Sequence, residues 1–429
     1  MQSHSCAALV IAAPASGQGK TTVTALLATY YRQQNKKVRI FKVGPDFLDP
    51  MVLEYASANP VYQLDLWMVG LPHSQQLLFE AAKEADIILI EGVMGLFDGN
   101  PSTADLAAHF GIPILAVIDA SAMAQTFAAI AVGLDQYRED VSVAAVVANR
   151  LGSDRHKEMV TEALPSHLPC LATLKRQSAD ILPSRYLGLV QADEIDDLAQ
   201  RLQLGLNDLW FNHQAHLPII RFDKPDIAPT PTLLDGVKIG VAKDAAFAFL
   251  YKANLDCLEQ LGAQLVFFSP LTDTTLPEID SLYLPGGYPE LYLDALSTNT
   301  SLKHSITTHY HADKPILAEC GGMLYLCESL TDKAGTKADM LGLLPAKAVL
   351  QKRLTALGLQ EVTSNNLSVR GHTYHHSLLE TDAIASTFGL CPNGKTVSEA
   401  LYQQKRLTAS YIHFYFPSNP TLIANWFRP

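Results

Sequence analysis

Short apolar runs rich in Val, Ile and Leu recur along the chain with helix-length stretches between them. Parallel strands covered on both faces read this way in a sequence. In the first half the runs are 7–12, 38–43, 86–91, 113–119 and 141–149, and they predict an α/β domain built on a doubly wound sheet. Between about 193 and 235 the rhythm fails and prolines collect at Pro218, Pro225, Pro229 and Pro231, as in an extended connection. A second α/β series follows at 237–242, 265–269, 282–285 and 315–319, and the alternating stretches 368–376 and 409–416 read as further strands. The expected organisation is a first domain over 1–195, a linker over 196–234 and a second domain over 235–429.

Composition narrows the class. With 429 residues the chain is long for one core and suits two. Hydrophobic residues make up 48%, yet no apolar run approaches the ~20 residues of a membrane helix. The opening residues lack a basic start and lead straight into a loop suited to phosphate, so they read as a buried first strand of a cytoplasmic protein rather than a signal peptide. A formal charge of −11 and no basic stripe argue against a nucleic-acid partner. The six cysteines are scattered without close pairs, as reduced thiols are, and only Cys320 has a setting that suggests chemistry.

After the first strand comes Pro14-Ala15-Ser16-Gly17-Gln18-Gly19-Lys20-Thr21-Thr22, a small-residue loop opening a helix. Backbone N–H groups from Ser16 to Thr22 and the positive helix end suit phosphate, with Lys20 on the β- and γ-phosphates of ATP and Thr21 on Mg²⁺. The usual pattern starts with Gly, whereas this one starts with Pro14. Strands two and three run into 42–50 and 91–99, acid-rich loops at the carboxyl edge of the sheet, where such folds bind ligands. Mg²⁺ takes hard oxygen ligands, so Asp46 and Glu91 are the expected magnesium ligands beside Thr21. Lys42, Asp49 and Asp98 are expected to serve substrate binding or phosphoryl transfer. The alternative is that these acids cap helices. This loop set resembles the dethiobiotin synthetase-like branch of phosphate-loop enzymes, which implies phosphorylation of a carboxylate through an acyl phosphate. In that branch Asn149 would meet adenine; a turn-forming Asn is the other reading.

In the second domain, 314–326 reads as a strand, a sharp turn at Cys320, two glycines and a helix, a nucleophile elbow with sulfur in place of oxygen. The following helix N-terminus is expected to lower the thiol pKa. Pro285-Gly286-Gly287 is a second glycine turn after a strand, and the backbone N–H groups of Gly287 and Gly321 are the oxyanion candidates. His413 supplies a base, although a lone histidine in a strand is more often a core residue. Pro285-Gly286-Gly287, Glu319-Cys320-Gly321-Gly322 and His413 in this order resemble a class I glutamine amidotransferase domain, which implies ammonia release through a thioester on Cys320. Most members carry an acid two residues after the histidine; here that position is Tyr415.

The domain pair resembles the cobyrinate and hydrogenobyrinate a,c-diamide synthases over nearly the whole chain, notably in 42–50, 91–99, 182–189, 244–247 and 283–291. The resemblance implies ATP- and glutamine-dependent amidation of the a and c carboxylates of cobyrinate, with Arg185 contacting substrate and ammonia passing between domains. Lys243 and Arg370 are further basic candidates for the acidic ring. Where the family has Arg-Gly-His-Glu-Phe-His, this chain has Arg370-Gly371-His372-Thr373-Tyr374-His375, followed by His376, and strand alternation argues against a metal cluster there. Hydrogenobyrinate and nickel sirohydrochlorin are alternative rings. A phosphate-loop regulatory ATPase with a non-catalytic second domain is the alternative of a different class, and it leaves Cys320 and His413 unexplained. A second domain that has lost glutamine hydrolysis and relies on free ammonia is a third reading, raised by Tyr415. The oligomeric state stays open, with a homodimer as one candidate.

Overall fold

The computed structural model describes residues 2–176, 181–185 and 188–429, with side chains undescribed at 184, 185, 188 and 189. The chain forms two compact units, Met1–Ile227 and Ala228–Pro429. Among the described residues no helix is long and apolar enough to cross a membrane.

In the first unit the strands are β1 (Ser3–Ala12), β2 (Val38–Val43), β3 (Tyr62–Leu64), β4 (Ile87–Glu91), β5 (Ile114–Asp119), β6 (Val143–Leu151), β7 (Cys170–Lys175), β8 (Ser184–Arg185), β9 (Gly188–Leu189), β10 (Leu209–Phe211) and β11 (Ile219–Asp223). The main sheet runs β10-β7-β6-β5-β1-β4-β2-β3, parallel from β7 to β3. Its strands are buried on both faces by two apolar clusters, one holding Val10, Phe41, Ile90 and Ile118, the other Leu9, Leu26, Ile40 and Val117. Chain order reverses between β5 and β1 and between β4 and β2, so the loops after β1, β2 and β4 emerge together at one edge of the sheet.

The expected linker over 196–234 differs from what is found. It contains a helix, Leu198–Asn207, whose Leu198 and Leu202 enter the core, and β10 and β11 extend the sheet antiparallel to β7 and β1. Antiparallel edge pairing asks for no long apolar run, and the prolines at 218 and 225 fall just outside β11, where they remove no ladder donor. The division between units falls after Ile227, inside the expected 196–234 span.

The second unit is a mixed α/β body. Its strands are β12 (Lys238–Ala242), β13 (Gln264–Phe268), β14 (Ser281–Leu284), β15 (Ile316–Glu319), β16 (Cys327–Thr331), β17 (Lys337–Asp339), β18 (Leu344–Leu350), β19 (Ala356–Ser364), β20 (Leu367–His375), β21 (Ser377–Thr381), β22 (Thr387–Leu390), β23 (Thr396–Gln404), β24 (Leu407–Ser410) and β25 (His413–Phe414). The main sheet runs β13-β12-β14-β15-β24-β23-β22-β19-β20-β25, and β17-β16-β18-β21 forms a smaller one. The stretch 409–416, expected as one strand, is broken. Ser410 Oγ donates to Ala400 O and accepts from Ile412 N–H, turning the chain between β24 and β25. The turn lets β24 pair with β15 while β25 pairs with β20.

Candidate functional sites

In the first unit the loop after β1 enters the helix Lys20–Gln33 through Gly19, whose φ of +93° only glycine adopts without strain. A Cβ at Gly19 would also lie 2.2 Å from Asn149 Nδ2. Asn149 donates from Nδ2 to Gln18 O at 2.8 Å and accepts on Oδ1 from Arg150 N–H, so it braces the phosphate loop. Together with Gly19, Thr22, Asp119 and Arg150 it also lines a pocket of about 270 Å³. Ser16 and Gly17 are exposed at the loop tip. Lys20 Nζ turns back to donate to Met94 O at 2.6 Å and Ala15 O at 3.4 Å. Burial first, and then the charge of Lys42, hold its pKa down.

Thr21 Oγ1 lies 2.7 Å from Glu91 Oε1 and 3.3 Å from Asp49 Oδ2. Lys42 Nζ sits among the acids, 2.6 Å from Asp49 Oδ2, 2.9 Å from Glu91 Oε1 and 3.7 Å from Asp46 Oδ2. Burial alone would lower the Lys42 pKa, but Glu91, Asp49 and Asp46 outweigh it and hold the ammonium charged. Glu91 is completely buried and its pKa is raised by that burial and by Asp49; Oε2 has no hydrogen-bond partner among the described residues. An orphaned carboxylate oxygen beside the Thr21 hydroxyl fits a hard cation, which completes its shell with phosphate oxygens and water.

Asp46 and Asp49 divide the work differently from the sequence expectation. Asp46 Oδ1 accepts from Leu48 N–H at 2.9 Å, opening the helix Leu48–Ser57, and Asp49, one turn on, reaches Thr21. Asp98 is exposed and accepts from Gly95 N–H at 3.1 Å, closing its own turn. The Arg185 side chain and residues 186 and 187, called from the sequence as part of a signature, lie outside what the structure describes.

In the second unit β15 delivers Cys320 at φ +42°, ψ −106°, a backbone conformation that an L-residue holds only under constraint. The constraint is visible: Cys320 N–H donates to Ser410 O at 2.8 Å and Leu324 N–H donates to Cys320 O at 2.9 Å. A Cβ at Gly321 would lie 2.8 Å from Gly287 N, and one at Gly322 would lie 2.0 Å from Leu284 O. The two glycine turns therefore touch backbone to backbone. Gly287 in turn packs on Ala246 O, in a loop pinned by Asp244, which accepts from Ala246 N–H and Leu271 N–H. A Cβ at Gly286 would lie 2.2 Å from His413 Cε1. Cys320, Gly287 and His413 thus converge around contacts that only glycine permits.

The expected lowering of the Cys320 pKa is corrected. Burial, followed by the charge of Glu290, pushes the thiol up to about 12, and the Gly321 N–H works against them without prevailing. The helix Gly321–Leu326 has six residues, too short for its end to offset burial. His413 is 2% exposed, and burial pushes its pKa down to about 3. The resting pair is neutral thiol and neutral imidazole.

Sequence reasoning missed what orients His413. Its ring stacks on His372, centroids 5.0 Å apart, and His372 Nδ1 lies 3.0 Å from Tyr251 OH. Tyr415, at the position of the usual acid, packs its ring 5.9 Å from Tyr251. The strand itself is held by Glu319, whose Oε1 accepts from Phe414 N–H at 3.0 Å and Oε2 from Tyr283 OH at 2.8 Å. Next to the nucleophile in sequence, Glu319 was the signal available. Elsewhere, Arg370 pairs with Glu361 at 3.6 Å, Lys243 lies 5.5 Å from the Phe267 ring, and His375 pairs with Glu399 at 3.2 Å.

Residues 9–187 match the CobQ/CobB/MinD/ParA nucleotide binding domain, and residues 238–421 match the CobB/CobQ-like glutamine amidotransferase domain. The chain is 58% identical to a hydrogenobyrinate a,c-diamide synthase of Stutzerimonas stutzeri, covering 100% of both chains. One of Pseudomonas aeruginosa is 56% identical over 99% of this chain and 98% of the relative. A cobyrinate a,c-diamide synthase of Herminiimonas arsenicoxydans is 46% identical over 99% of this chain and 98% of the relative.

Proposed function

The chain belongs to the family of hydrogenobyrinate and cobyrinate a,c-diamide synthases, glutamine-dependent amidating ligases of cobalamin biosynthesis, and from that premise we propose the substrate and the residue roles. The observation that carries the reading is Cys320 at a strained turn whose Gly321 packs on the Gly287 backbone, with Gly286 against the His413 ring, in a chain whose other unit sets a phosphate loop beside Thr21, Glu91 and Asp49.

Ser16 to Thr22 cradle the phosphates of ATP, and the pocket beside Asn149 takes adenine. Thr21 and Glu91, with Asp49 and Asp46 nearby, would hold Mg²⁺, which supplies charge neutralisation on the β- and γ-phosphates. Lys42 keeps three carboxylates from repelling one another and presents a positive charge to the substrate carboxylate that attacks the γ-phosphate. An acyl phosphate results. At the other site Cys320 gives its proton to His413 as sulfur attacks the glutamine amide carbon. The N–H groups of Gly287 and Gly321 receive the oxyanion, and His413 returns the proton to the departing ammonia. Because the resting pair is neutral, proton transfer accompanies attack rather than preceding it. Ammonia then displaces phosphate from the acyl phosphate, with the enzyme working in the cytoplasm.

The metal state of the ring is the finer point. The relatives at 58% and 56% identity are named for hydrogenobyrinate and the one at 46% for cobyrinate, which favours the metal-free ring. Equimolar hydrogenobyrinate and cobyrinate offered together with Mg-ATP and glutamine, followed by mass spectrometry, test this. Diamide should appear first from hydrogenobyrinate; preferential consumption of cobyrinate would reverse the assignment.

A further inference from the structure

Glu290 lies on the short turn Pro289–Leu291, immediately beyond the oxyanion glycines. Pro289 Cδ is 3.0 Å from where a Gly321 Cβ would sit, so this turn packs directly on the first residue of the nucleophile helix. The Glu290 side chain is 9% exposed. The other two buried glutamates of the unit are matched: Glu319 accepts from Phe414 N–H and Tyr283 OH, and Glu399 pairs with His375 and accepts from Ser398 Oγ. Glu290 meets its own backbone N–H, and the charges of Lys333 and Asp332 act on it. Burial raises this carboxyl more than its own N–H and the Lys333 charge lower it, and a ligand that brings a donor offsets that cost.

Its position makes the cost greater. The negative charge of Glu290 bears on Cys320 and opposes formation of the thiolate the reaction needs. The charge of Lys333 bears on Glu290 and favours its ionised form. Glutamine presents its carboxamide to the sulfur, while the far end of the same short side chain carries an ammonium and a carboxylate. A buried anion with a cation near it, one turn from the nucleophile, is complementary to that end of the molecule.

We propose that Glu290 receives the α-ammonium of the glutamine substrate and so sets the specificity of the amidotransferase site. The proposal rests on the reading of Cys320 as the glutamine nucleophile. When the ammonium is seated, the charge that opposes the thiolate is cancelled, so glutamine eases the ionisation of the sulfur that attacks it. Burial pushes the Glu290 carboxyl up to about 7 in the free enzyme, and an arriving ammonium restores the charged form.

The test compares hydrolysis of L-glutamine with that of 4-carbamoylbutanoate, which is glutamine without its α-amino group, by the wild-type chain and by Glu290→Gln. Wild type should prefer glutamine in kcat/KM by about tenfold or more, the loss expected for one charge-assisted hydrogen bond. Glu290→Gln should bring the ratio to within about twofold, through KM for glutamine rather than kcat. Because the ratio is taken within one protein preparation, it does not depend on the folded fraction. A wild type that accepts both amides equally, or a Glu290→Gln variant that keeps the full preference, overturns the proposal while leaving Cys320 as nucleophile. A wild type that hydrolyses neither overturns the amidotransferase reading as well.

Discussion

At Cys320 two influences on one sulfur compete. A Gly321 N–H favours the thiolate, while burial and the charge of Glu290 favour the thiol, and the second pair prevails. The sharp turn at Cys320 was legible because a strand, a turn, two glycines and a helix form a short linear pattern. The ionisation of the thiol was not, since that depends on burial and on a residue thirty positions away. The same holds for Asp46 and Asp49: their shared loop at the carboxyl edge of the sheet was legible, but which one faces Thr21 depends on where the helix Leu48–Ser57 begins. Alkylation follows the thiolate fraction, so a sulfur titrating at about 12 should react with iodoacetamide about tenfold faster for each pH unit from 7 to 9, without a plateau. Rates measured without glutamine check this. A plateau near neutrality would reveal a thiolate–imidazolium pair and contradict the neutral resting state.

Between elements, Glu319 joins the end of β15 to Phe414 on β25 and to Tyr283 on β14, tying the strands that lead to Cys320, His413 and the Gly286-Gly287 turn. Strand positions were legible to within a residue or two at β2, β4, β5, β6, β12, β13, β14 and β15, because buried parallel strands are continuous apolar runs. The break between β24 and β25 was not, since it depends on the Ser410 hydroxyl bonding to backbone rather than on hydropathy. Burial pushes the Glu319 carboxyl up to about 8 from an ordinary 4.5. The folded state therefore holds a proton that the unfolded chain has released, so stability is greatest below pH 4.5 and falls as pH rises to about 8, by up to about 1.4 kcal/mol per unit. Glu319→Gln, neutral at every pH and able to bond to both neighbours, should match wild type below pH 5 and melt higher at pH 8. Glu319→Ala should lose about 3 kcal/mol below pH 5, from two buried donors left unsatisfied, and the deficit should shrink toward pH 8 because the variant lacks the carboxyl that weakens wild type there. Thermal melts across pH decide; a Gln variant that tracks wild type throughout would show that Glu319 is ionised in the fold.

For the whole molecule, the order of a phosphate-loop unit before an amidotransferase unit was legible from two motifs alone, and the family match over 9–187 and 238–421 agrees with it. The division after Ile227 falls inside the 193–235 stretch read as the connection, but the elements within that stretch were not legible. The returning strands β10 and β11 are short edge strands whose pairing with β7 and β1 leaves little trace in hydropathy. The two sites have different substrates, and the account requires that nitrogen released at Cys320 reach a carboxylate activated by ATP. The most direct test supplies hydrogenobyrinate, Mg-ATP and glutamine labelled with ¹⁵N in its side-chain amide, and reads product mass together with ADP and glutamate. The account predicts a diamide carrying two ¹⁵N atoms, with two ADP and two glutamate formed per ring. ATP and glutamine consumed while both hydrogenobyrinate and cobyrinate stay unlabelled would contradict it.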